Sequence, residues 1–397
     1  MEIKHKSAAL SFVILIGVVS LFSDMTHEGA RSIYGAYLAL AGASAAAIGF
    51  VSGLGEFIGY SFRLLTGYIA DRTHRYWTVS IVGYGINMFA VPLIALVPQN
   101  GWKYACALIV LERVGKAIRH PAKNTMVSFA SSQVGHGKAF ALQEFMDQIG
   151  AFCGPLMLFV IVALRKGYSD LFSTYQLCFA ALIIPAVLTM FFLLRAKHRF
   201  PHPENLEVSN EVNSRTKFSR SFIIYIIAIN LFAFGFIDFP LITMHMSKHA
   251  LFGASYLPLL YAGAMLVDAF AALLFGWMYD RFGLRVLIAP TILSAFFAPL
   301  IFLMNSQSAL LFGIALWGIG MGAQESVMKS AVASLVSKQN RSTGFGVFET
   351  SFGIFWFLGS WLMGLLYDQS IGLMVAVSVG AQLLSIPLLT MIRPVRK

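Results

Sequence analysis

The chain has 397 residues, of which 58% are apolar and only 12% charged, with a formal net charge of +11. A soluble domain carries about 25% charged residues, so this composition excludes an ordinary water-soluble fold and points to a bilayer as the solvent. The basic excess therefore needs a location before it can be read as affinity for nucleic acid.

A membrane-crossing helix needs about 20 mainly apolar residues. Twelve such stretches follow in chain order, near residues 10–36, 45–70, 77–97, 103–131, 138–163, 171–194, 221–245, 255–279, 286–304, 308–336, 343–367 and 371–392. Lys4 and Lys6 before the apolar run Ala8 to Phe22 imitate a secretory signal. No small-residue cleavage site follows, and Asp24 does, so this run is expected to be a retained first span. The polar stretch Arg195 to Arg220 divides the spans six and six. The expected organisation is a first bundle over residues 1–194, a cytoplasmic linker over 195–220 and a second bundle over 221–397. With the N-terminus inside, eighteen cations fall in cytoplasmic segments, whereas Lys103, Arg165, Lys166 and Lys248 fall outside. The positive-inside rule then places both termini in the cytoplasm, as in a bacterial inner membrane. Cys106, Cys153 and Cys178 all sit in apolar stretches and read as reduced packing residues.

The segment Gly67-Tyr-Ile-Ala-Asp71-Arg72-Thr-His-Arg75 after the second span returns as Gly276-Trp-Met-Tyr-Asp280-Arg281-Phe-Gly-Leu-Arg285 after the eighth. Both copies occupy the same place in a six-span half, and duplicated halves are the mark of a carrier whose site lies between them. The G-x-x-x-D-R-x-x-R pattern at Gly67, Asp71, Arg72 and Arg75 resembles the signature of the major facilitator superfamily, and the resemblance covers the whole chain. The fourth and fifth spans are similar to a bacterial branch carrying R-x-G-K-x-I-R-x-P-A and then D-Q-I-G-A…G-P. These read here Arg113, Gly115, Lys116, Ile118, Arg119, Pro121 and Ala122, then Asp147, Gln148, Ile149, Gly150, Ala151, Gly154 and Pro155. That branch often has Arg-Asp where this chain has Lys123-Asn124, so no carboxylate role passes to position 124. The resemblance implies an all-α polytopic membrane protein of twelve transmembrane helices in two pseudo-symmetric six-helix bundles, working by alternating access.

A charge at membrane depth costs at least about 2.5 kcal/mol on insertion scales, so each is a functional hypothesis. Asp24, Glu28 and Arg31 follow i, i+4, i+7 and share one helical face. Either the pair neutralises itself, or a proton-titrating carboxylate sits beside a substrate-binding cation. In the fourth span Glu112, Arg113, Lys116, Arg119, His120 and Lys123 project within an arc of about 120°. Lipid would not tolerate that stripe, so it is expected to face a cavity, neighbouring acids or the cytoplasmic vestibule. Arg119 and Lys123, nearer the inner end, are expected to pair with Asp71 or to snorkel to water. Arg113 and Lys116 lie deeper and suit an anionic substrate group, which arginine grips with two hydrogen bonds.

Within the membrane the first half sets six cations against six acids, whereas the second sets Asp238, Asp268, Glu325 and Glu349 against Lys329. A cationic wall and an acidic wall fit a zwitterionic or mixed-charge solute; alternatively the acids carry protons. Arg31, Arg113, Lys116, Arg119 and Glu325 are the substrate-binding candidates, and Asp24, Glu28, Glu56, Asp238 and Asp268 the proton candidates. Gly67, Asp71, Arg72, Arg75, Gly276, Asp280, Arg281 and Arg285 are expected to gate, with Asp71 meeting a helix N-terminus near Ser342-Thr343-Gly344.

Gly150-x-x-x-Gly154-Pro155 reads as a packing face or as part of an exporter motif, but Leu156 and Met157 stand where that motif has glycines. Efflux of amphipathic compounds is thus the alternative within the class, supported by 14% aromatic residues. A non-transporting receptor or a polytopic membrane enzyme is disfavoured by the duplicated gate signature. No phosphate-binding G-x-x-x-x-G-K-[ST] loop, nucleophile elbow or metal-ligand set occurs in the sequence. His245 and His249 share a face at the outer end of the seventh span, where solvation is expected. The expected partners are a small-molecule substrate, protons and the lipid bilayer, with no nucleic acid, cofactor or metal, and a monomer.

Overall fold

The computed structural model describes residues 2–392 except 135, 166–169, 207–218, 250–251, 254, 305 and 336–340, and within its helices some side chains, including those of Asp71, Asp280, Lys329, Ser342 and Thr343, lie outside the described residues. The described chain is helical throughout, with α1 (Glu2–Leu40), α2 (Ala45–Thr73), α3 (Tyr76–Leu93), α4 (Trp102–Val134), α5 (His136–Leu164), α6 (Leu171–Ala181), α7 (Ile183–Arg199), α8 (Arg220–Gly235), α9 (Phe239–His249), α10 (Tyr256–Phe282), α11 (Ile288–Ala295), α12 (Phe297–Phe302), α13 (Gln307–Leu335), α14 (Arg341–Gln369) and α15 (Ile371–Met391).

Ten segments of the described residues are long and apolar enough to cross a bilayer, three of them assembled from two shorter helices in line. The two remaining long helices, α4 with its charged stripe and α13, complete the twelve expected from the sequence. Large apolar side chains such as Leu164 and Leu273 are each 74% exposed. That is tolerable only where lipid replaces water.

Three of the predicted spans are interrupted, and each interruption precedes a proline. A proline has no N–H to give the carbonyl four residues earlier. Pro185 follows the α6–α7 break at Leu182, Pro240 the α8–α9 break over residues 236–238, and Pro299 the α11–α12 break at Phe296. Helix α4 contains Pro121 and yet runs unbroken. Pro121 leaves the Ala117 carbonyl without its helical donor, and Thr66 of α2 supplies one, its Oγ1 donating to Ala117 O at 2.9 Å.

Close contacts divide the chain into two units, residues 1–33 with 61–211, and residues 34–60 with 212–397. In the first unit Phe12, Trp77, Tyr84, Met88, Met126 and Leu193 are buried in one core. The start of the segment expected to be linker belongs to that core. Helix α7 continues to Arg199, Phe200 packs edge-on against Phe12 at 5.3 Å, Trp77 Nε1 donates to Phe200 O at 3.0 Å, and Gln133 Nε2 donates to Leu206 O at 2.8 Å. In the second unit the C-terminal end of α1 and the start of α2 lie against α9 and α14, where Gly35 meets Pro240 and Gly49 meets Ser360 backbone to backbone. Its core is aromatic, with Phe236, Phe239, Tyr261, Phe297 and Trp317 all buried.

Candidate functional site

Helices α1, α3 and α4 of the first unit hold a buried network of ionisable groups. Its formation begins with glycine. A Cβ on Gly115 would stand 2.4 Å from Asn87 N, so only glycine lets α3 and α4 touch at that level. That approach brings Asn87 onto Glu112, where its amide donates to the Glu112 backbone carbonyl at 3.0 Å and to its carboxylate Oε1 at 2.5 Å. Glu112 is fully buried, with His27 Nδ1 2.9 Å from its Oε1 and Arg113 Nε 3.3 Å from its Oε2. A buried carboxylate is tolerated only when paired and hydrogen-bonded, and Glu112 meets both conditions. On α1, His27 Nε2 lies 3.7 Å from Glu28 Oε1, and Glu28 Oε2 lies 3.8 Å from an Arg31 guanidinium nitrogen.

Two turns further along α4, Arg119 donates from Nε to Asn87 Oδ1 at 3.2 Å, lies 4.4 Å from the centre of the Tyr84 ring and approaches Asp24 at 3.9 Å. Lys123 donates to Ser20 Oγ at 2.7 Å and lies 3.9 Å from Asp147 of α5. The sequence expectation for these two cations was pairing with Asp71 or exposure to water. Neither reaches water, at 2% and 7% exposure, because α1 and α5 supply carboxylates and hydroxyls within reach; the side chain of Asp71 lies outside the described residues. The network therefore joins the predicted Asp24, Glu28, Arg31, Arg113 and Arg119 in one unit, with Lys116 half-buried on the same helix. Sequence reasoning missed His27, Asn87, Ser20 and Gln143. Gln143 bridges α5 to α1 by donating to Val13 O at 2.9 Å. Spacing could have found His27, which adjoins Glu28 on the first span; nothing in the pattern marks Asn87 or Gln143, whose partners are on other helices.

In the second unit the α8–α9 break carries the chemistry. The carbonyls it releases are answered by side chains. Ser378 and Gln382 of α15 donate to Gly235 O at 2.6 and 3.3 Å, and Trp317 Nε1 of α13 donates to Ile237 O at 2.9 Å. Asp238 stands in the break, 3% exposed. Its Oδ1 accepts from the Phe239 N–H at 2.9 Å and its Oδ2 from the Ser52 hydroxyl of α2. Asp268 is buried on α10 against α13, where a Cβ on Gly322 would come within 2.6 Å of its Oδ1. Glu325 and Glu349 are half-buried on α13 and α14, and Glu56 on α2. His245 departs from expectation. It is 1% exposed rather than solvated, since the Tyr367 hydroxyl lies 2.8 Å from its Nδ1 and the Phe302 ring covers it.

In the repeated signature, Arg72, Arg75, Arg281 and Arg285 are exposed. Arg72 donates to Tyr68 Oη at 3.0 Å, Arg281 lies over the Trp277 ring at 4.8 Å, and Gly67 faces Pro121 of α4 at ordinary contact. Gly276 is half-buried on α10, and the side chains of Asp71 and Asp280 lie outside the described residues. The Gly150 and Gly154 pair packs α5 onto α1, since a Cβ on either would stand 2.2 Å from the Leu21 or Met25 carbonyl oxygen. Among the described residues no group of three His, Cys, Asp or Glu side chains could hold a metal ion.

An all-helical membrane protein with a repeated loop signature, buried ion pairs in its spans and a helix broken at an acidic residue is a secondary carrier by architecture. The model of the Major Facilitator Superfamily matches residues 9–257 and 226–397, and the chain belongs to that superfamily. It is a transporter of small molecules in a membrane, not an enzyme. It is 36% identical over 394 residues to an uncharacterized protein of Mycobacterium tuberculosis, covering 97% of this chain and 94% of the relative. It is 28% identical over 371 residues to an uncharacterized MFS-type transporter of Methanocaldococcus jannaschii, covering 90% and 89%. Among solved structures, its fold is similar to a D323A mutant of the nucleoside transporter NupG, with a TM-score of 0.75 at 13% identity over 96% of this chain and 99% of that one. It is also similar to the xylose transporter XylE from E. coli, with a TM-score of 0.71 at 14% identity over 97% and 96%.

Proposed function

We propose that this carrier moves a small anionic or zwitterionic organic solute in exchange for, or together with, protons. The supporting observation is the pairing of Arg31 and Arg113 with carboxylates of their own unit, Glu28 and Glu112. An anionic substrate group competes with those carboxylates for the guanidinium, and a proton on the carboxylate weakens its hold. Binding of the anion and of the proton then reinforce each other, the sign of coupling that movement together with protons requires. Lys116 and Arg119 extend the cationic surface, Asp24, Glu56 and Asp268 are further sites of proton exchange, and Glu325 receives a substrate cation. Asp238, held at a helix break by Ser52 and a backbone N–H, is the proton candidate of the second unit. A protonated Asp238 keeps the backbone hydrogen bond but weakens it, which couples its charge to the geometry of α9.

The repeated signature supplies the gates, with Asp71 and Asp280 as the acidic members. The excess of cations in the loops orients both termini to the cytoplasm of a bacterial inner membrane, and the carrier works as a monomer.

Proteoliposomes test this reading. A thermal-shift screen of carboxylates, amino acids and phosphorylated metabolites selects solutes that raise the apparent stability, and these are assayed for counterflow and for accumulation driven by a pH gradient. Glu28→Gln and Asp238→Asn are expected to abolish uphill accumulation while sparing exchange. Accumulation retained in both variants would overturn the coupling assignment, and preferential movement of hydrophobic cations would favour amphipathic efflux instead.

A further inference from the structure

His27 is a fully buried ionisable member of the first-unit network to which the proposed function assigns no role. Its ring stands between two carboxylates, Nδ1 2.9 Å from Glu112 Oε1 and Nε2 3.7 Å from Glu28 Oε1. The charged groups facing it are Glu112, Arg113 and Lys116 from α4 and Glu28 from its own helix. The two carboxylates attract a proton to the ring and the two cations repel it. Glu112 is fixed by Asn87 and Arg113, so it orients the ring and leaves Nε2 directed at the Glu28 side. Glu28 has a second claimant, since its other oxygen lies 3.8 Å from Arg31. One carboxylate thus serves both an imidazole that can gain a charge and a guanidinium that keeps its own.

We propose that His27 is a proton-carrying residue of the transport cycle, and that its charge state decides how strongly Glu28 engages Arg31. The inference rests on the proton-coupled reading above. In the neutral state the ring proton is on Nδ1, 2.9 Å from Glu112 Oε1, Nε2 has no proton, and Glu28 spends its charge on Arg31. When one proton enters between Nε2 and Glu28 Oε1, it resides on the ring as an imidazolium beside a carboxylate. The charge of the pair rises by one and Arg31 loses the undivided attraction of Glu28. A substrate anion is then favoured at Arg31. Release of the proton reverses the sequence and returns Glu28 to Arg31. No covalent bond other than N–H and O–H changes, and the proton is the sole co-reactant.

The test needs no substrate, because the probe is the proton itself. Protein labelled with 15N-histidine in detergent is titrated from pH 4.5 to 9, and the His27 signal is identified by its loss in H27Q, or in H27N if H27Q does not fold. The expected result is a titrating His27 whose midpoint moves to lower pH by about one unit in E28Q, which removes one attracting carboxylate. R31A, which removes the competing cation, is expected to move it the other way. A His27 signal constant across the range, as for a ring that only supports Glu112, overturns the proposal, and so does a midpoint unchanged in E28Q. Failure of the wider reading has a different signature, since wild-type vesicles loaded with a pH-sensitive dye would then show no proton movement with any solute while His27 still titrated.

Discussion

Single residues in this protein are placed by the bonds that others cannot make. Thr66 sits where Pro121 denies Ala117 its helical donor. Thr66→Val keeps the shape and removes the hydroxyl, leaving a buried carbonyl unsatisfied at a cost of about 1–3 kcal/mol, read as a lower melting temperature in detergent. Asn87 has the same standing toward Glu112 and Arg119, both of which its side chain bonds. At the surface, the Asp170 side chain accepts from the Ser173 hydroxyl and from the Ser173 N–H at 2.6 Å, capping α6. Those bonds favour the ionised carboxyl and hold it below the usual carboxylate range. With the folded value depressed, the stabilisation is present above the unfolded value and is lost as pH falls through the folded one. Asp170→Asn should therefore flatten the acid limb of the stability profile slightly, measured by thermal melting across pH 3 to 6.

Elements are shaped by prolines and by small residues at crossings. The breaks before Pro185, Pro240 and Pro299 were open to prediction from the missing N–H, yet the apolar pattern runs straight through all three and reads as continuous spans. Only the second break holds an acid, Asp238, and its released carbonyls are taken up by Trp317, Ser378 and Gln382 from α13 and α15. Trp317→Phe preserves the aromatic packing but frees the Ile237 carbonyl. It should destabilise the second unit by about 1–3 kcal/mol, and hydrogen exchange should rise first at residues 235–240. On the other unit, Gly154→Ala would push α5 off α1, because its Cβ meets the Met25 carbonyl. Overpacking of this kind costs about 1–3 kcal/mol and should disturb the α1 face that carries Asp24 and Glu28, seen as a lower melting temperature.

At the scale of the whole molecule the proposed topology makes the charge of +11 an orientation signal. The twelve spans and the superfamily were legible because the bilayer imposes length and apolarity on every crossing, and because the gate signature was repeated. Orientation is checked with cysteines introduced at two exposed positions, Gln99 after α3 and His198 near the end of α7. The native Cys106 and Cys178 are buried and Cys153 is half-buried, so they compete little for reagent. A membrane-impermeant maleimide applied to intact cells should label Gln99→Cys and should reach His198→Cys only after the membrane is opened. The reverse pattern would overturn the cytoplasmic placement of the termini.

The sequence by itself determined the solvent, the twelve helical spans and the superfamily, because each depends on composition or on spacing along one helix. It also picked out most charged residues of the first-unit network, since a charge in an apolar span is conspicuous wherever it points. Only the tertiary structure decided which of them meet. Arg119 and Lys123 turned inward to Asp24, Asn87, Ser20 and Asp147, and His245 closed onto Tyr367. His27 came to stand between Glu112 and Glu28 through the packing of α1 on α4. Pairing of buried charges is set by the approach of neighbouring helices to within a few ångströms, and helical periodicity fixes the face a residue occupies without fixing the helix it faces.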